Sequence, residues 1–280
     1  MIVRPFVKVN LGLSVLRKRP DGYHDIETLF VPYEGISDSL EIITGDDWSR
    51  TSASIFERYD PSEIAQGISP DGALMITIAR RGGVDWDPLK DLTAKAWSLL
   101  SEEFKLPPVK IFLEKLSPVG AGLGGGSSDG AFALKVISEL CGLQLGQEEL
   151  AERASRLGSD CAFFVYGRPM IGEGRGEILT PFELGLSGYE LRVVVPEGIS
   201  VSTAEAYCGI RPAIPACDLR ETLRLPVEQW RGRLANDFEA TVFAVHPELA
   251  ALKQELYDSG AAYASMSGSG SALFAIFQAK

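Results

Sequence analysis

Between Pro118 and Ser128 the chain reads Pro118-Val119-Gly120-Ala121-Gly122-Leu123-Gly124-Gly125-Gly126-Ser127-Ser128, and seven of the nine residues from Gly120 onward are Gly or Ser. Such a run is costly inside a helix or strand, but it lets a backbone approach a ligand closely. A strand pattern, Val109 to Leu116, leads into it. A helical pattern from Ser128 to Leu140 leaves it and stops at Gly142. The unpaired N–H groups and positive dipole end of that helix point back at the glycines, which predicts a site for an anion. The alternative is a flexible strand-to-helix turn, which rarely needs five glycines in seven positions.

Gly120-x-Gly122-x-x-Gly125 satisfies the dinucleotide fingerprint, but that fold needs a second parallel strand directly after the helix. Here another helical pattern, Gln147 to Leu157, comes next. The Walker phosphate loop is excluded because Gly126 is followed by Ser127 and not by Lys.

The formal charge of −11 argues against nucleic acid or an anionic membrane as partner, since the long-range field repels both. A phosphorylated ligand must therefore be held locally, by a helix start, backbone N–H groups and one or two lysines. Cys141, Cys161, Cys208 and Cys217 form no C-x-x-C pair and only His24 and His246 exist to join them, so neither a zinc site nor a disulfide framework is expected. With 45% hydrophobic and 23% charged residues the chain has ample core content. It holds no apolar run of eighteen residues, and a strand pattern begins almost at once after Met1, so a cytoplasmic protein is expected.

Phe6 to Leu16 alternates: Val7, Val9, Leu11, Leu13 and Val15 share one face, and Lys8, Asn10, Gly12 and Ser14 the other. This predicts a half-buried strand with a polar face. Pro20-Asp21-Gly22 forms a turn, and Thr28 to Tyr33 and Ser39 to Ile43 continue an antiparallel sheet. Ser52 to Arg58 and Leu74 to Ala79 read as strands with a loop between them. Leu92 to Phe104 is a helix by its spacing, ended before Pro107-Pro108. Beyond Gly167 short strands (Met170 to Gly172, Gly176 to Thr180, Leu191 to Val195, Ala272 to Phe277) alternate with helices near Thr203 to Tyr207 and Pro247 to Ser259.

The Pro118-x-x-x-Gly122-Leu-Gly124 segment followed by a helix resembles the second motif of the GHMP kinases. Its Gly-Leu-Gly-Gly-Gly-Ser-Ser form is similar to one branch, the 4-diphosphocytidyl-2-C-methyl-D-erythritol kinases. Lys8-Val-Asn10, Arg19-Pro-Asp-Gly-Tyr-His24, Glu27-Thr-Leu-Phe30, Leu157-Gly-Ser-Asp160 and Met266-Ser-Gly-Ser-Gly-Ser271 extend the resemblance along the chain. Gly130 departs from it, standing where such sequences have Ala. The resemblance implies an α/β (α+β) fold of two domains: an N-terminal, ribosomal-protein-S5-like nucleotide domain over 1–167 and a C-terminal, ferredoxin-like GHMP domain over 168–280. The active site would lie in the cleft between them.

It also implies the chemistry: transfer of a phosphoryl group from MgATP to the 2-hydroxyl of a cytidine-diphosphate-bearing alcohol, in non-mevalonate isoprenoid precursor biosynthesis. A kinase for homoserine or a mevalonate derivative, or a nucleotide sensor without turnover, are the alternatives. Asp160, which local sequence alone reads as an N-cap, matches the family's catalytic base. Lys8, alone a solvated strand lysine, matches the cation beside that base. Pro118 to Ser128 would cradle the phosphates, Ser127 and Ser128 adding hydroxyls for phosphate or Mg²⁺. Lys115 matches a position near the nucleotide, or is an exposed strand-end charge. Tyr23, His24 and Tyr207 would form the cytidine site, with Asn10 and Thr203 adding polar contacts. Gly268 and Gly270 would bring a second backbone loop near the phosphates or the acceptor, or form a tight strand connection.

Overall fold

The computed structural model describes residues 1–45 and 49–279. Its strands are β1 (Ile2–Val3), β2 (Phe6–Lys18), β3 (His24–Ser37), β4 (Ser39–Thr44), β5 (Ile64–Ile68), β6 (Leu74–Arg80), β7 (Val109–Lys115), β8 (Met170–Gly174), β9 (Ile178–Pro181), β10 (Tyr189–Val194), β11 (Tyr263–Met266) and β12 (Leu273–Gln278). The helices are α1 (Ser52–Arg58), α2 (Leu92–Glu103), α3 (Gly125–Leu140), α4 (Gln147–Leu157), α5 (Cys161–Tyr166), α6 (Thr203–Cys208), α7 (Leu219–Leu223), α8 (Phe238–Val245) and α9 (Pro247–Asp258). None of them is long and apolar enough to cross a membrane.

The chain divides into two compact units, each assembled from separated stretches. The first comprises Met1–Val7, Glu34–Ser117 and Gly125–Gly167, the second Lys8–Tyr33, Pro118–Gly124 and the chain from Arg168 onward.

In the first unit five strands pair in the order β1-β4-β7-β6-β5. β6 and β7 run parallel, from Leu74 opposite Val109 to Arg80 opposite Lys115, and α2 is their crossover. Ile76, Ile78, Ile111 and Leu113 are wholly buried in that central pair. α2, α3, α4 and α5 pack on one another. The close approach of α2 and α3 explains Gly130: a Cβ there would lie 2.8 Å from Leu92 Cβ. Alanine, the better helix former, does not fit.

The second unit holds two sheets, β2-β3-β8-β9 and β10-β12-β11. β12 is antiparallel to both of its neighbours. Leu13, Val15, Ile26, Phe238, Leu249, Met266 and Leu273 form a buried cluster there.

Four expectations change. Ser52–Arg58 is a helix, not a strand. The buried Glu41 carboxylate takes the backbone N–H groups of Arg50 and Thr51 just before it, and Ile55 and Tyr59, one turn apart, face inward. The expected loop after it contains β5, an edge strand antiparallel to β6. The helix after the glycines starts at Gly125, three residues early. Finally, β2 has no solvated face: Lys8 and Asn10 are as buried as Val7 and Val9. α7 and α8 were not foreseen, and residues 46–48 lie outside the described residues.

Candidate active site

In the second unit, the first half of the glycine-rich segment lies against β2. Lys8 N–H donates to Leu123 C=O at 2.9 Å. The Lys8 ammonium is 3% exposed, too dry to stand unpaired. It donates to the Gly122 carbonyl at 3.0 Å and to Asn10 Oδ1, and it sits 5.5 Å from the centre of the Phe30 ring. Asn10 Nδ2 donates to Thr28 Oγ1 at 3.1 Å, and Thr28 Oγ1 donates to the Gly12 carbonyl. Asn10 is thus first a support for Lys8, and Thr28, which sequence reasoning did not single out, supports Asn10.

The Ser267–Ser271 loop closes over the same place. Ser267 Oγ donates to the Gly122 carbonyl at 3.0 Å, and Ala272 N–H donates to Ala121 C=O at 3.1 Å. Gly122 has φ +76° and packs so tightly that a Cβ would lie 2.1 Å from Ser267 O. Asn236, also unforeseen, shapes this loop by donating through Nδ2 to Met266 C=O and Gly268 C=O, each at 2.8 Å. Gly268 and Gly270 lie in the tight connection between antiparallel β11 and β12, and that connection touches the first glycine loop.

His24 and Tyr207 stack with centroids 4.7 Å apart and planes 20° from parallel, and Phe238 meets Tyr207 edge-on. Burial, then the Lys18 charge, lowers the His24 imidazole below its ordinary value, so at neutral pH it is uncharged with one donor and one acceptor nitrogen. Tyr23 stays outside this stack: it is 56% exposed, with the Arg175 guanidinium 5.1 Å from its ring centre. Thr203 opens α6 and is exposed, behind the capping box of Ser202 and Glu205.

In the first unit, α3 begins with Gly125, exposed Gly126, and Ser127, and the Ser128 hydroxyl is buried with no hydrogen-bond partner. Asp160 holds the N-cap position of α5 and makes no side-chain capping hydrogen bond there. Burial pushes the adjacent Cys161 thiol up to about 12, leaving it no nucleophile at neutral pH. Lys115 is no exposed strand-end charge. It is 7% exposed, between Asp38 and Asp129 at 2.5 Å each. Burial raises the Asp38 pKa, but Lys115 and the Ser117 hydrogen bonds outweigh this and hold it below its ordinary value. Asp129, wholly buried, is pushed well above, Lys115 offsetting only part of the effect. Among the described residues no three His, Cys, Asp or Glu side chains cluster as a metal site.

Residues 91–168 match the family model for the GHMP kinases N terminal domain, and residues 214–280 the model for the GHMP kinases C terminal. The chain is 42% identical over 278 residues to the 4-diphosphocytidyl-2-C-methyl-D-erythritol kinase of Parabacteroides distasonis, covering 99% of this chain and 92% of the relative. It is 43% identical over 277 residues to the enzyme of that name from Bacteroides fragilis, with the same coverage of 99% and 92%. A crystal structure of 4-(cytidine 5'-diphospho)-2C-methyl-D-erythritol kinase superposes with a TM-score of 0.74 at 31% identity, over 98% of this chain and 89% of that one.

Proposed function

The chain belongs to the GHMP kinases, in the branch of the 4-diphosphocytidyl-2-C-methyl-D-erythritol kinases, and on that premise we propose that it phosphorylates the 2-hydroxyl of that cytidyl alcohol with MgATP. The observation that carries the kinase reading is the dry Lys8 ammonium, fixed by Asn10 and the Gly122 carbonyl where two glycine loops meet. A cation held so rigidly stabilises charge as it develops, at no cost of reorganisation.

The acceptor oxygen bonds to the γ-phosphorus as the bond from that phosphorus to the β,γ-bridging oxygen breaks, giving the 2-phosphate and ADP. Asp160 takes the hydroxyl proton, and Lys8 favours the alkoxide character of the attacking oxygen. The N–H groups at the start of α3, with the Ser127 and Ser128 hydroxyls, receive phosphate oxygens. The Ser127 and Ser128 hydroxyls would help hold a divalent metal bound together with the nucleotide, and that ion would supply counter-charge on the phosphate oxygens. His24 and Tyr207 take the cytosine: the neutral imidazole offers one donor and one acceptor to a base edge that has both, and the Tyr207 ring stacks on it. Tyr23 and Thr203 border this site, and the reaction takes place in the cytoplasm, without nucleic acid or membrane.

ADP release, followed by a coupled assay, tests the reading. The cytidyl alcohol is turned over, mevalonate and homoserine are not, and Asp160→Asn abolishes turnover while cytidine diphosphate still binds. Turnover of mevalonate or homoserine in preference would reassign the substrate. No ADP from the cytidyl alcohol, with Asp160→Asn indistinguishable from the parent, would leave a nucleotide sensor.

A further inference from the structure

Asp38, Lys115 and Asp129 have no part in the chemistry above, yet three buried ionisable groups in contact are expensive to keep. Asp38 and Asp129 are wholly buried. Lys115 Nζ donates to Asp38 Oδ2 at 2.5 Å, to Asp129 Oδ2 at 2.5 Å and to Ser117 Oγ at 3.1 Å. An ammonium carries three N–H donors, so none remains for a phosphate. Asp38 is tied further: it accepts from Leu116 N–H, Ser117 N–H and Ser117 Oγ, each at 2.6 Å.

These bonds fall at the two feet of the glycine-rich segment. Ser117 is the last residue before Pro118, and Gly125 is the first residue of α3. The feet touch: a Cβ on Gly125 would lie 2.4 Å from Ser117 Oγ and 3.2 Å from Lys115 Nζ. Asp129 anchors the same helix one turn on.

We propose that Asp38, Lys115, Ser117 and Asp129 form a buried staple that joins the end of β7 to the start of α3, through the Lys115–Asp129 bond, and so holds the phosphate-receiving N–H groups in place. Lys115 is a positioning residue acting through Ser117 and Asp129, not a ligand of the nucleotide. The inference rests on the kinase reading. A displacement of the helix start by about 1 Å is enough to cost a large factor at a preorganised site.

Calorimetric titration of the full chain with MgATP and, separately, with cytidine diphosphate tests it, using the parent, Lys115→Met, Asp38→Asn and the double variant below their unfolding temperatures. Each single change is expected to weaken MgATP binding by roughly tenfold or more. The double variant should be no worse than the weaker single, because the two residues act as a unit. Cytidine diphosphate should bind all four within about twofold. If Asp38→Asn keeps full MgATP affinity while Lys115→Met loses it, Lys115 is a direct ligand and the staple is refuted. Unchanged MgATP binding in every variant refutes it equally. Should the buried-charge variants not fold, Ser117→Ala keeps both charges: a several-fold loss of MgATP affinity supports the staple, and parent affinity overturns it. A parent that binds no MgATP strikes instead at the kinase reading.

Discussion

Replacing Gly122 with alanine tests the meeting of the two glycine loops. The new Cβ would lie 2.1 Å from Ser267 O and 3.0 Å from Gly270 N, both backbone atoms that cannot swing aside. The residue also has φ +76°, where an L side chain costs about 1–2 kcal/mol. Forcing a methyl into a packed site adds about 1–3 kcal/mol. The sum, about 2–5 kcal/mol, is a large share of the roughly 5–15 kcal/mol that keeps a domain folded. The Gly122 carbonyl moves with the strain, and Lys8 and Ser267 both donate to it. Turnover should therefore fall by roughly a hundredfold in the fraction that stays folded. Urea unfolding gives the first quantity and ADP release the second. Gly126→Ala is the control for stability, since a Cβ there meets nothing within 4 Å and a helix gains up to about 1 kcal/mol from the change. If Gly122→Ala unfolds within about 0.5 kcal/mol of the parent, the loops are not interlocked as described.

Gly130→Ala should lower the melting temperature despite alanine's better propensity, because the clash with Leu92 Cβ at 2.8 Å costs about 1–3 kcal/mol; a rise would show that α2 and α3 can separate freely. Thr28→Val removes the donor to the Gly12 carbonyl and the acceptor for Asn10 Nδ2, so kcat should drop by about tenfold while MgATP affinity holds; parent kcat would remove Thr28 from the support of Lys8. Burial raises the Glu41 pKa, but the Ser49 and Thr51 hydroxyls and the Arg50 and Thr51 N–H groups outweigh it, leaving the folded value below 4.5. That carboxylate's stabilisation is complete above its unfolded pKa and fades as pH falls through the folded one. Glu41→Gln should flatten the acid limb of unfolding free energy against pH, and an unchanged limb would show that Glu41 carries no such linkage.

The glycine loop that runs into a helix was legible because the composition of Gly120–Ser128 is itself the device: few other needs call for so many glycines before a helix. Its helix start was misplaced by three residues because Gly125 and Gly126 carry no helical preference and are held by what surrounds them. Alternation along β2 put Lys8 and Asn10 on one face but could not reveal that this face is dry. Part of what covers it comes from Leu123 and Ser267, more than a hundred residues away. The buried surroundings of Lys115 were hidden for the same reason, since Asp38 lies 77 positions upstream. Local pattern also fails where one apolar anchor decides an element. α1 buries a single side chain, Ile55, so no period could emerge from seven residues.

The order of β10, β12 and β11 has a consequence for biosynthesis. β12, Leu273–Gln278, is the middle strand of its sheet, and its two neighbours bond to it and not to each other. A ribosome delivers that strand after both of its neighbours, so β10 and β11 must wait unpaired until Leu273–Gln278 has emerged. Their unpaired edges are then open to chaperones or to a neighbouring nascent chain. A truncation that removed Leu273–Gln278 would take away the centre of that sheet and not its fringe.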